Sequence, residues 1–127
     1  MSVQAKYQAA LDLGEHFGAK NGSVTEENGV LKVTGLVHTQ YEKNAIWDKI
    51  KEIGGANPTD IIADISVETN DYYAKYVVVK GDTLGKISKH FYGEAGKYMQ
   101  IFEANRSILS NPDLIEIGQV LVIPFEK

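Results

Sequence analysis

The stretch "YVVVKGDTLGKISKHFYG", Tyr76 to Gly93, changes period halfway along its length. Val77, Val78 and Val79 make an unbroken apolar run and read as a strand, which Gly81 breaks. Leu84, Ile87 and Phe91 then recur three and four residues apart, so a helix follows, with Asp82 or Thr83 placed to cap it. Further on, Tyr98, Ile101 and Asn105, with Phe102 beside them, mark a second helix. "GQVLVIP" (118–124) supplies a closing strand, with Pro124 where no further ladder donor is needed. The predicted order is strand, helix, helix, strand.

Upstream, Tyr7, Ala10, Leu11, Leu13 and Phe17 line one side of a helix that the region of Gly18 and Gly22 ends. In "SVTEENGVLKVTGLV" (23–37) two short strands flank Glu27-Asn28-Gly29, where Asn-Gly supplies the positive φ angles of a tight hairpin. Tyr41, Ala45, Ile46, Ile50 and Ile53 carry a further helical stripe, with Thr39 as N-cap, Gly54-Gly55 as stop and Trp47 flanking. A loop through Asn57-Pro58 leads into "TDIIADISVE" (59–68), where Ile61, Ala63, Ile65 and Val67 alternate with Ile62, Asp64, Ser66 and Glu68. These elements predict a small sheet with helices on one face. The polar junction "ETNDYYAK" (68–75) divides the chain into residues 1–71 and 72–127, and the fold class is α+β: a helix/sheet sandwich followed by a βααβ module.

The 127 residues contain no cysteine, which excludes disulfides, a thiolate nucleophile and a sulfur-based zinc site. Met1 to Lys75 holds 7 Lys/Arg against 11 Asp/Glu, and Tyr76 to Lys127 holds 6 against 6. An acidic first half without a basic, aromatic-laced stripe argues against nucleic acid and anionic lipid as partners. No run reaches the length of a membrane span, and "MSVQAKYQAALDLGEHFG" (1–18) lacks the basic start and apolar core of a secretory signal. A full-length chain of this kind is expected in the cytoplasm.

Tyr76 to Pro124 resembles a LysM domain through "YVVVKGDTLGKISKHFYG", "IFEANRSIL" (101–109) and "DLIEIGQVLVIP" (113–124). Residues 1 to about 70 are similar to a BON domain through "NGVLKVTGLV" (28–37), the amphipathic helix after it and "ADISVE" (63–68). The two in direct succession resemble a family of small bacterial cytosolic potassium-binding proteins. That resemblance implies a K⁺ ion bound by main-chain carbonyls, partly at the end of the BON helix and its following turn, "IKEIGGANP" (50–58), with Lys51, Ile53 and Ala56 as donors. K⁺ is selected by several oxygens held at a suitable size, so carbonyls of any residue type serve, and a helix C-terminus leaves such carbonyls unpaired. The turn "GGANPTD" (54–60) is longer than the family's.

The LysM resemblance implies an alternative ligand, a glycan built on N-acetylglucosamine. Its groove would lie between Gly81, Asp82, Thr83 and Leu84 on one wall and Asn111, Pro112, Asp113, Leu114 and Ile115 on the other. Exposed amides and an apolar strip suit acetamido groups and sugar faces. The same residues have structural duties, since Gly81 permits a turn, Asp82 or Thr83 caps a helix and Leu84 fills a core. Asn105, at a helix end, is expected to hold loop backbone groups as a buried amide.

Catalysis has little foothold. His16, His38 and His90 fall on separate elements, no paired-histidine or glycine-framed serine motif occurs, and Glu26 and Glu27 are adjacent in a strand and so face opposite ways. "TEENG" and "ETND" lack the spaced carboxylates of a calcium loop. Tyr72, Tyr73 and Tyr76 cluster at the junction, where they either pack the modules together or offer an aromatic contact to a protein partner.

Overall fold

The computed structural model describes residues Ser2 to Lys127. The chain divides between Asn70 and Asp71 into two compact units.

In the first unit, α1 (Val3–Lys6) and α2 (Gln8–His16) precede a hairpin of β1 (Lys20–Glu27) and β2 (Val30–Val37); α3 (Gln40–Gly54) and β3 (Ile61–Val67) follow. Asn28 and Gly29 take φ of 54° and 77°, the pair of left-handed conformations that the Asn-Gly reading required. β2 also pairs with β3, in parallel, from Leu31↔Ile61 to Val37↔Val67, so the sheet order is β1-β2-β3 and α3 is the crossover that parallel pairing demands. Alternation along β3 sends Ile61 and Ile65 into the core, where they meet Leu31, Val37, Ile46, Ile50, Tyr7 and Ala10. The predicted first helix is divided at Tyr7, whose φ of −99° and ψ of 13° leave the helical region, while its side chain is fully buried. β1 is exposed along its whole length.

The second unit holds β4 (Ala74–Val77), α4 (Leu84–Tyr92), a 3₁₀ turn (Ala95–Lys97), α5 (Tyr98–Ala104) and β5 (Val120–Ile123), with β4 and β5 antiparallel. The first strand lies three residues earlier than the Val77–Val79 run predicted. Ala74 is buried opposite Ile123, whereas the Val79 N–H donates to the Asp82 carboxylate at 2.8 Å and so leaves the ladder. Thr83, not Asp82, caps α4, accepting the Lys86 N–H at 3.1 Å. Leu84 and Ile87 are buried as expected, and Ser88, which hydropathy did not mark, is buried beside them with its hydroxyl donating to the Glu94 carbonyl. Tyr98 departs from its predicted core stripe and lies 37% exposed.

Asn105 ties the unit together. Its amide nitrogen donates to the carbonyls of Ile101 and Val122 at 2.7 and 2.8 Å, and its oxygen accepts the Val122 N–H at 2.8 Å. One buried side chain thus joins the end of α5 to β5.

Candidate functional site

Two places gather the residues that the sequence singles out, one in each unit. In the first unit the place is the C-terminal end of α3. That helix starts at a reciprocal cap: Thr39 Oγ1 accepts the Glu42 N–H, and Glu42 Oε1 accepts the N–H groups of His38 and Thr39. Ile46 and Ile50 anchor it to the core, and it stops where Gly55, at φ 90°, donates its N–H to the Lys51 carbonyl at 2.8 Å. Lys51 and Ile53 therefore lie in the last turn and Ala56 in the loop beyond. A helix end of this kind carries partial negative charge and points carbonyl oxygens outward, which suits a cation.

Gly54 does more than stop the helix. A Cβ built on it would lie 2.1 Å from the Tyr7 hydroxyl oxygen and 3.1 Å from Pro58 Cβ, so only glycine lets Tyr7 cross the helix end this closely. Tyr7 continues past Gly54 to donate its hydroxyl to Asp60 Oδ1 at 2.5 Å, and Lys6 Nζ reaches Asp60 Oδ2 at 2.6 Å. The Asp60 carbonyl accepts the Leu31 N–H at 2.9 Å. Asp60 thus fastens the loop after α3 to α1 through its carboxylate and to β2 through its backbone. Hydrogen bonds from Lys6 and then Tyr7 hold the Asp60 carboxyl below the usual 3.8. Burial, reinforced by the bond to Asp60, pushes the Tyr7 hydroxyl up to about 12. Sequence reasoning took Tyr7 as a core residue and passed over Lys6 and Asp60. Fifty-three residues separate Tyr7 from Asp60, and no local pattern connects them.

In the second unit a groove of about 370 Å³ brings Asp82, Thr83 and Leu84 opposite Pro112, Asp113 and Ile115, with Gly85 and Tyr98 completing the lining. Gly81, Asn111 and Leu114 are not part of that lining. Gly81 makes the turn at φ 90°, Asn111 Oδ1 accepts the Asp113 N–H at 2.8 Å to shape the loop, and Leu114 stands 65% exposed. Asp82 is committed to structure: Oδ2 accepts both the Tyr76 hydroxyl at 2.7 Å and the Val79 N–H. The bond to Asp82, with burial, raises the Tyr76 hydroxyl above its ordinary value. Tyr98 was missed as a groove residue, and its place at the start of a helix facing a loop gave no sequence signal.

Each junction tyrosine has a ring contact within the second unit. Tyr76 packs edge-on against Phe91 and Tyr73 against Phe125, with ring centroids 5.8 and 5.7 Å apart, and Lys75 Nζ lies 5.3 Å from the Tyr72 ring centroid. Among the described residues, no three His, Cys, Asp or Glu side chains are placed to hold a metal ion. Among them too, no helix is long and apolar enough to cross a membrane.

Comparison with known proteins bears on both units. Residues 76–124 match the LysM domain family. The chain is 41% identical over 100 residues to the potassium binding protein Kbp of Escherichia coli, covering 78% of this chain and 66% of that protein. The aligned stretch exceeds the LysM segment, so the similarity runs into the first unit. A secreted LysM effector of Passalora fulva is 50% identical over 50 residues, which is 39% of this chain and 20% of the effector. An esterase of Mycobacterium tuberculosis is 43% identical over 51 residues, only 11% of its own length.

Proposed function

We propose, from the premise that residues 76–124 of this chain are a LysM domain, that the protein is a non-enzymatic binding protein whose ligand is the potassium ion. The observation that carries this reading is the similarity to Kbp, which reaches past the LysM segment into the first unit. The first unit is BON-like on this reading. The ion is held by main-chain carbonyls at the end of α3, with Lys51, Ile53 and Ala56 as donors, and the LysM domain has a supporting role. The protein then works in the cytoplasm. The helix dipole supplies partial negative charge at that end, and the acidic balance of residues 1 to 75 adds to it. The Tyr7–Asp60 contact holds the loop after α3 to the rest of the unit, so the carbonyls start from a fixed frame.

The test is a calorimetric titration with KCl against matched NaCl, alongside thermal unfolding followed through Trp47, the protein's one tryptophan, which lies on α3. Selective binding to the native state raises the midpoint in K⁺ over Na⁺, and at one hundred times the dissociation constant the gain is about 2.7 kcal/mol. Equal midpoints in the two salts, with no K⁺-specific heat, refute the reading.

The second reading is binding of a glycan built on N-acetylglucosamine, such as peptidoglycan or chitin fragments, in the LysM groove. The groove between Thr83 and Ile115 favours it, as does the similarity to a secreted LysM effector. A parallel titration with chitin oligosaccharide separates the two: sugar heat that Tyr98→Ala abolishes places the function in the second unit.

A further inference from the structure

The buried core of the first unit lies beneath a depression on the β1 side. A cleft of about 350 Å³ opens between α2 and the β1–β2 hairpin and reaches down to Ile46, Ile50 and Ile65. That volume falls within the range of small-molecule sites, and the floor is apolar. Three glycines, Gly14, Gly22 and Gly35, line it. None has the positive φ that would call for glycine. A Cβ on each would meet its nearest neighbour at 3.7, 3.8 and 3.9 Å, which is ordinary contact. Neither backbone conformation nor packing therefore demands glycine at these positions. Gly14 sits inside α2, where glycine weakens a helix relative to alanine. What the three have in common is that they line the cleft.

The rim gives the sign of the ligand. Glu15 is the only charged residue among those lining the cleft, where Gln4, Gln8 and Thr34 are the other polar side chains. A carboxylate head would meet Glu15 across an acidic unit, whereas an ammonium head would find a countercharge there. We propose that this cleft binds a small molecule with an apolar body and an ammonium head. The body enters between α2 and the hairpin, and the head stays at the mouth beside Glu15. The lining shares no residue with the LysM groove or with Lys51, Ile53 and Ala56, so the proposal does not depend on either reading above.

The experiment follows thermal unfolding of the full chain through Trp47 and binding by calorimetry, with four probes at millimolar concentration. n-Octylammonium carries head and body, n-octanol the body with a neutral head, n-octanoate the body with the wrong charge, and methylammonium the head alone. The expected order of affinity is octylammonium, then octanol, then octanoate, with no binding of methylammonium. Glu15→Gln should weaken octylammonium by about two- to fivefold, as expected for an exposed charge pair, and leave octanol unchanged. Gly14→Ala with Gly35→Ala should weaken both while the free protein unfolds no earlier than the parent, because each alanine only fills space. Failure of all the octyl probes to bind overturns the proposal. So does equal binding of all three that the alanine variants leave unchanged, and so does methylammonium binding as tightly as octylammonium, which would place the ammonium at a cation site instead.

Discussion

Replacing Gly54 with alanine tests whether the helix end is a mere stop or a fitted contact. In an ordinary helix interior the change gains about 0.5–1 kcal/mol, because alanine has less backbone freedom to lose. Here the new methyl would arrive 2.1 Å from the Tyr7 hydroxyl oxygen and 3.0 Å from its Cζ, with Pro58 Cβ at 3.1 Å on another side. Tyr7 is fully buried and its hydroxyl is bonded to Asp60, so it cannot yield without giving up that bond. Overpacking of this kind costs about 1–3 kcal/mol. The net expectation is a loss of about 1 kcal/mol, or about 6 °C in the midpoint of a unit this size, read by Trp47 fluorescence. Tyr7→Phe removes the atom that clashes most, so Gly54→Ala on that background should cost less than half as much. A variant Gly54→Ala as stable as the parent, or equal costs on the two backgrounds, would refute the fitted contact.

Three further outcomes follow from single interactions. Because Asp60 titrates below 3.8 when folded, its contribution is fully present above that value and is lost as pH falls through the folded value; Tyr7, raised to about 12, contributes fully below pH 10 and loses its contribution between 10 and 12. In Tyr7→Phe the alkaline melt monitored at Trp47 should flatten within its window, and the acid melt only in part, because Lys6 still holds Asp60. Asn105→Ala strands the Val122 N–H and the carbonyls of Ile101 and Val122 and should cost about 3 kcal/mol, with early loss of amide-exchange protection at Val122. Thr39→Ala removes half of the reciprocal cap and should cost about 1 kcal/mol of the stability read at Trp47, with Thr39→Ser restoring most of it.

The fold was legible wherever a residue type answers a local demand. Asn28-Gly29 declared the hairpin through its φ angles, Thr39 the start of α3, and the alternation of Ile61, Ala63 and Ile65 the buried face of β3. Strand limits were less legible, because three valines in a row carry no information about where a ladder ends. The Asp82 carboxylate decides that by taking the Val79 N–H. Of the groove residues, those in the capping turn and the facing loop were readable by resemblance, while Tyr98 depended on how two elements face each other. The glycines gave no hint of their different roles: Gly54 and Gly55 look alike in sequence, yet one yields space to Tyr7 and the other supplies a left-handed turn.

The least legible feature is also the one that links the proposed ion site to the stability of its unit. A ligand set made of carbonyls leaves no side-chain pattern, so its neighbourhood has to be found through what steadies it. Asp60 is that residue: its carboxylate holds α1 through Lys6 and the start of α2 through Tyr7, and its carbonyl holds β2 through Leu31. Tyr7 in turn lies against Gly54, one residue past Ile53. If K⁺ draws the carbonyls of Lys51, Ile53 and Ala56 together, the loop from Gly55 to Asp60 is the segment that must adjust, and Tyr7 is packed against its first turn. Tyr7→Phe should therefore weaken K⁺ binding by loosening the frame while leaving Na⁺ discrimination intact, since the donor oxygens are unchanged. A loss of discrimination with affinity retained would show that Tyr7 sets the size of the site and not merely its rigidity.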